Sequence, residues 1–239
     1  MPVVFMGHGS PMNAIEDNVW SRAFRAFAAT LPKPRAYVAV SAHWLMPGTF
    51  LTGDDQPKTI HDFGGFPQAL FEVEYPARGE KDLAGRIATM LNRGTDALRT
   101  DWGLDHGTWS VLRHLRPEAD VPVVQLSINA RAPLQQHIDL GRALQALRDD
   151  GVMVLASGNI THNLRAVAWG LAPGPTASTS WAGAFDADVA KAIEQHDLAF
   201  LVRATESDNG RSSHPSIDHY LPLLYAMGAA DAEESRSFP

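Results

Sequence analysis

Ten histidines and no cysteine give this chain a nitrogen-rich donor set, and several of the histidines stand where short apolar runs end. His8 follows the apolar start Pro2–Met6, inside Gly7-His-Gly-Ser-Pro-Met12. His43 stands in Val40-Ser-Ala-His-Trp44, just past a second apolar run. His162 comes after Val152–Ala156 by way of Ser157-Gly-Asn-Ile-Thr161. Neutral imidazole ligates first-row transition metals and titrates near neutrality, so such residues can hold a metal or move a proton. Without a thiol, Cys-ligated zinc, iron–sulfur clusters, disulfide scaffolds and thiol catalysis are excluded. Any metal must therefore be held by nitrogen and oxygen. A lone histidine after a strand is ordinarily a hydrogen-bonded structural residue. Three of them, flanked by Gly, Ser and Asn, suit a shared site.

A fourth, His219, precedes Leu221-Pro-Leu-Leu224 at the entrance to an expected last helix. His106 sits in Trp102-Gly-Leu-Asp-His-Gly-Thr-Trp109. It reads either as a reactive imidazole oriented by Asp105 or as part of a capping loop, with Asp105 or Thr108 as the cap. His61-Asp-Phe-Gly-Gly-Phe-Pro67 reads either as an aromatic loop lining an apolar pocket or as a surface loop. His114, His137 and His196 fall on expected helices and read as structural or solvated, and His214 earns no role. No Gly-x-Ser-x-Gly elbow, His-Glu-x-x-His, P-loop or dinucleotide fingerprint is present, and neither Ser10 nor Ser157 has a recognisable nucleophile setting.

The elements that must position these residues alternate between short apolar runs and amphipathic stretches, the pattern of an α/β domain. Strands are expected at Pro2–Met6, Ala36–Ser41, Phe50–Thr52, Ala97–Thr100, Pro122–Ile128 and Val152–Ala156. Helices are expected at Glu16–Thr30, Lys81–Leu91, Thr108–Leu115, Leu134–Asp149, Trp181–Glu194 and near Leu221–Met227. Loops are expected over Pro47–Gly65, Gly170–Thr179 and Ser207–Pro215. In such sheets the ligand crevice lies beyond the carboxyl ends of the strands, so histidines far apart in sequence can converge there.

The 239 residues, 45% of them hydrophobic, suffice for one large domain but not comfortably for two. Basic residues number 20 against 27 acidic ones, a net charge of −7, and the basic residues form no cluster. Nucleic-acid and anionic-membrane binding are therefore not expected. No apolar run approaches the ~20 residues of a membrane span, and the N-terminus reads as a first strand rather than a signal peptide, so a cytoplasmic protein is expected.

Six segments together resemble the class III extradiol ring-cleavage dioxygenases, and among them the 4,5-DOPA extradiol dioxygenase group. They are Gly7-His-Gly-Ser-Pro-Met-Asn13, Ser41-Ala-His-Trp44, Thr59-Ile-His-Asp-Phe-Gly-Gly-Phe-Pro67, Leu104-Asp-His-Gly-Thr-Trp109, Ala156-Ser-Gly-Asn-Ile-Thr-His-Asn-Leu164 and His219-Tyr-Leu-Pro-Leu-Leu-Tyr225. The resemblance implies a single α/β domain over residues 1–239, with a central mixed β-sheet flanked by helices and a metal site at the strand ends. It also implies that the family continues past Ser237-Phe-Pro239.

The implied enzyme is a non-haem Fe(II) dioxygenase that opens a catechol ring beside its diol with O₂. By motif position, His8, His43 and His219 are the implied ligands. His162 lies against the metal as acid–base residue or fourth ligand, and His106 faces the substrate. Trp44, Phe63, Phe66 and Trp109 are candidate walls for the aromatic ring, with core packing as the alternative for each. A histidine stands where many relatives carry a carboxylate ligand, with Asp218 beside it, so Zn(II) is a second candidate occupant. Two other functions stay open on the residues alone: a zinc hydrolase using the same histidines, and a non-catalytic binding module on the same fold.

Overall fold

The computed structural model describes residues 1–167 and 180–239. The expected loop at Gly170–Thr179 lies outside the described residues. Six strands form one mixed sheet in the order β1-β6-β2-β5-β3-β4. They are β1 (Val3–Gly7), β2 (Ala36–Met46), β3 (Leu51–Thr52), β4 (Leu98–Arg99), β5 (Val123–Asn129) and β6 (Val152–Gly158). β1, β6, β2 and β5 run parallel, β3 is antiparallel to β5, and β4 is parallel to β3.

The four parallel strands are nearly continuous apolar runs because both of their faces are covered. Alternate side chains feed two cores. Val38, Val40, Val124, Leu126 and Val154 pack with α3 (Lys81–Met90), α5 (Leu134–Leu144), α6 (Ser180–Glu194) and α9 (Leu221–Ala229). Tyr37, Ala39, Val123, Met153 and Leu155 face the other way, onto α4 (His106–Leu115), with Phe24 and Phe27 of α1 (Val19–Ala28) at the margin. Among the described residues no helix is long and apolar enough to cross a membrane.

Differences from the expected elements cluster around the histidines. β2 does not stop at Ser41. Its pairing with β6 ends there, but its pairing with β5 resumes at Leu45 after a register shift, so His43 lies inside the strand at an irregularity. Bulges of this kind re-aim a side chain at the rim of a sheet. The fourth helix starts at His106 rather than Thr108, capped by Asp105, whose side chain accepts from the Thr108 N–H. The segment Ser207–Pro215 contains a short helix at Asp208–Ser213, where the Ser207 hydroxyl accepts from the Gly210 N–H, in place of the expected loop. Short helices α2 (Gln68–Phe71) and α7 (Leu198–Arg203) also form, and the helix at Asp208–Ser213 is α8.

Candidate metal centre

Five histidines from five different elements or loops meet at one end of the sheet. His8 follows β1, His43 sits in the β2 irregularity, and His106 opens α4. His162 lies four residues past β6, and His219 just before α9. Ligand atoms of His8, His43 and His106 lie within 4.8 Å of one another, and those of His162, Asp218 and His219 form a second such group. The two groups adjoin: the His219 ring is 5.2 Å from that of His8 and 4.9 Å from that of His43. Glycine lets the layers approach. A Cβ at Gly158, the last residue of β6, would overlap the carbonyl oxygen of His219, which accepts from the Asn159 N–H at 2.9 Å. A Cβ at Gly107 would collide with the Ser41 hydroxyl and touch the His43 ring.

Hydrogen bonds decide which nitrogen each imidazole presents. The Ser157 hydroxyl donates to the Gly107 carbonyl at 2.5 Å, so it accepts from His8 Nδ1 at 2.9 Å. Asp62 accepts from both His106 Nδ1 (2.9 Å) and the His106 N–H (2.8 Å), and its carboxylate lies 3.4 Å from His43 Nδ1. Asp218 accepts from His219 Nδ1 at 2.5 Å. Four Nδ1 atoms are thus engaged, leaving four Nε2 atoms turned inward; those of His8 and His43 face each other at 3.2 Å. Partners on Nδ1 that fix the tautomer are what metal-bound histidines use. Among the described residues the His162 ring has no hydrogen-bond partner, and only its backbone N–H is held, by the Ser213 carbonyl.

The electrostatics favour neutral rings. Burial, then the charges its four neighbouring imidazoles would carry, holds His8 well below the usual imidazole range. Burial, followed by His106 and His219, brings His43 down to about 3 against the opposing pull of Asp62 and Asp218. His162 is lowered to about 4 by burial and then by His219. Burial pushes Asp62 up, but hydrogen bonds and charge from His106, with His43, outweigh it and keep the carboxyl below its usual range. Inward-facing imidazole nitrogens in a buried cluster fit a transition metal of borderline softness better than a hard, oxygen-seeking cation.

The aromatic candidates divide. Phe63 packs edge-on against His106, with ring centroids 5.4 Å apart, and against Phe66 at 5.4 Å. Trp109 is fully buried behind them, donating from Nε1 to the Ile60 carbonyl at 2.8 Å. Trp44 is buried and stacked on Trp102 at 5.6 Å.

Asp62 was missed as a functional residue, and Asp105 does not orient His106. Asp105 is instead buried among Ser41, Gln125 and the α4 N-terminus, where burial and then the Asp62 charge raise it to about 6. The signal for Asp62 lay in its own motif, next to His61. A bridge between Thr59 and Leu104 aligns the two segments so that Asp62 meets His106. His61 itself bonds to the Val73 carbonyl, His114 to the Asn13 carbonyl, His137 to the Tyr225 hydroxyl and His214 to the Ile160 carbonyl.

Comparison with known proteins identifies the family of this chain. The family described as the catalytic LigB subunit of aromatic ring-opening dioxygenase matches residues 2–238. A 4,5-DOPA dioxygenase extradiol of Escherichia coli K12 is 46% identical over 247 aligned positions, spanning 100% of this chain and 89% of the relative. One from Beta vulgaris is 37% identical, spanning 95% and 85%. A crystal structure of an uncharacterised Escherichia coli K12 protein superposes with a TM-score of 0.82 at 40% identity, covering 98% of this chain and 91% of that one.

Proposed function

We propose, for a chain that belongs to the family of the catalytic LigB subunit of aromatic ring-opening dioxygenase, that its substrate is a small DOPA-like catechol and that His8, His43 and His219 carry the metal. The chain is an extradiol ring-cleaving dioxygenase, and enzymes of this family are metal-dependent. The DOPA-like substrate is drawn from the relatives' names and from the aromatic wall of Phe63 and Phe66 beside His106. That family membership sets aside the zinc hydrolase and the non-catalytic module.

One observation carries the residue assignment. Four imidazoles are fixed through Nδ1 by Ser157, Asp62 and Asp218, while the fifth, His162, is not. An anchored ring suits a ligand or a rigid donor; an unanchored ring suits a group that must exchange a proton and turn. Bound Fe(II) supplies the electronic link between the catechol oxygens and O₂ that a closed-shell ion such as Zn(II) does not. His162, neutral near pH 7, would accept the second catechol proton and return it to an oxygen derived from O₂ as the oxygen–oxygen bond breaks, both oxygen atoms remaining in the product. His106, held by Asp62, donates from or accepts at its Nε2 beside the substrate. Phe63 and Phe66 wall the ring, and Trp109 and Trp44 support that wall and the β2 irregularity from within the packing. A cytoplasmic location belongs to the same proposal, and cell fractionation tests it.

The functional test is anaerobic loading with Fe(II), then aerobic incubation with a catechol panel, following O₂ uptake and yellow semialdehyde products. Uptake with DOPA or a close analogue supports the reading. Absence of uptake with every catechol, in a sample with verified iron content, overturns it.

A further inference from the structure

A cavity of about 500 Å³ opens beside His8, with Gly9, Asn13, Glu16, Asn18, Trp20 and Asn159 among its lining residues. Asn159 joins it to the histidine cluster. Its Oδ1 accepts from the Gly9 N–H at 3.2 Å, and its Nδ2 lies 3.4 Å from His8 Nε2, the atom that faces His43. Through Asn159 the cavity adjoins the histidine cluster.

Among the described residues Glu16 is the only ionisable side chain lining the cavity. The guanidinium groups nearest in sequence, Arg22 and Arg25, are both taken by Asp17. Among the described residues Glu16 forms no ion pair. It is nevertheless held in place: the Asn18 amide donates to Glu16 Oε2 at 3.1 Å and to Asn13 Oδ1 at 3.0 Å. Asn18 is itself fixed, because its own Oδ1 caps α1. One carboxylate oxygen is thus positioned by the protein and the other is left for a ligand. Trp20, 45% exposed, adds an indole face, the best aromatic surface for a cation.

We propose that this cavity is the subsite for the substituent on the ring, and that it selects an arm ending in an ammonium group, with Glu16 as counter-charge. This rests on the ring-opening reading above. Among the described residues no cationic side chain lines the cavity to receive an anionic arm.

The experiment compares three catechols with an aminoethyl, a methyl or a carboxyethyl arm, using wild type, Glu16→Gln and Glu16→Lys. Calorimetric affinity and the KM and kcat of the Fe(II)-loaded enzyme are measured on each preparation. The readout is the ratio of charged-arm to methyl-arm values within each protein. Wild type should favour the aminoethyl arm by up to about fivefold, the upper end for an exposed ion pair. Glu16→Gln should erase that ratio through KM rather than kcat, and Glu16→Lys should reverse it toward the carboxyethyl arm. Ratios that do not respond to Glu16, while the catechols still bind, overturn the subsite. A charge preference in calorimetry that Glu16→Lys reverses, in a protein that opens no ring, upholds the subsite and overturns the ring-opening reading instead.

Discussion

The imidazoles of His162 and His219 lie face to face, their centroids 3.4 Å apart and their planes within 9° of parallel. The partners are unequal: Asp218 holds the His219 ring, whereas His162 rests on it without a side-chain anchor. His162→Ala should therefore keep its metal and bind catechol nearly as wild type does, yet lose about 10²–10⁴-fold in kcat. His162→Gln should lose as much, since an amide cannot carry the proton. Metal content, catechol affinity and kcat on one preparation of each variant decide this. Metal loss in parallel with rate would make His162 a ligand.

His8→Ala and His43→Ala should each release the metal on dialysis while the far-ultraviolet circular dichroism stays that of wild type. The change leaves Ser157 or Asp62 short of a partner, a cost of about 1–3 kcal/mol against the ~5–15 kcal/mol typical of a folded domain. A full equivalent of metal retained by either variant removes that residue from the ligand set.

Asp62→Asn should weaken metal binding by about 10–100-fold, the usual cost of losing an outer partner of a ligating histidine. One carboxylate oxygen, Oδ2, serves both rings, accepting from His106 Nδ1 and lying 3.4 Å from His43 Nδ1, while Oδ1 accepts from the His106 N–H; asparagine is uncharged and must turn its NH₂ toward one of these donors. Competition with a chelator measures the change, and an unaltered affinity would show that Asp62 positions neither ring.

Much of this site was readable in advance because its histidines follow strands that announce themselves. Val152–Ala156 is an unbroken apolar run, and Pro122–Ile128 is interrupted only by Gln125 and Ser127, as expected of strands covered on both faces. The end of β2 was not readable. Ser41 and His43 look like the polar residues that close a strand, and only the resumed pairing of Leu45 with Ile128 carries the strand onward. Asp208-Asn-Gly-Arg-Ser-Ser213 has the composition of a loop, and its helix exists through the Ser207 cap and its packing against α6. Asp62 stayed hidden because its contact with His106 depends on a tertiary bridge that no local pattern encodes.

His137 carries a pH dependence separate from the site. Burial lowers it from 6.5 to about 4, so the unfolded chain binds this proton more readily than the folded one. Its contribution is full above pH 6.5, declines as pH falls through the window from 6.5 to about 4, and is gone below it. The full drop is about 3 kcal/mol. Urea unfolding at pH 7 and pH 4.5 should show a smaller loss in His137→Gln than in wild type. Equal losses would mean that the burial of His137 sets none of the acid sensitivity.

Gly158→Ala should act as a wedge. The added methyl occupies the position of the His219 carbonyl, so α9 must move away from the end of β6 and take His219 with it. The expected result is a folded protein with lower melting temperature and poor metal retention. Wild-type metal affinity in that variant would show that the site tolerates displacement of α9.

The strand order also sets a timetable for synthesis. β1 is the first of the strands to emerge from the ribosome, yet among the described residues its only strand neighbour is β6, made more than half a chain later. His8 cannot be held in place until β6 has emerged and docked, and His219 arrives later still. Parallel pairing through long crossovers makes this assembly dependent on distant segments rather than local ones. The nascent chain thus offers scattered, unaligned imidazoles for most of translation. The candidate metal pocket comes into being only once β6 and the segment carrying His219 have joined β1, so no ion can be held by the full histidine set before then.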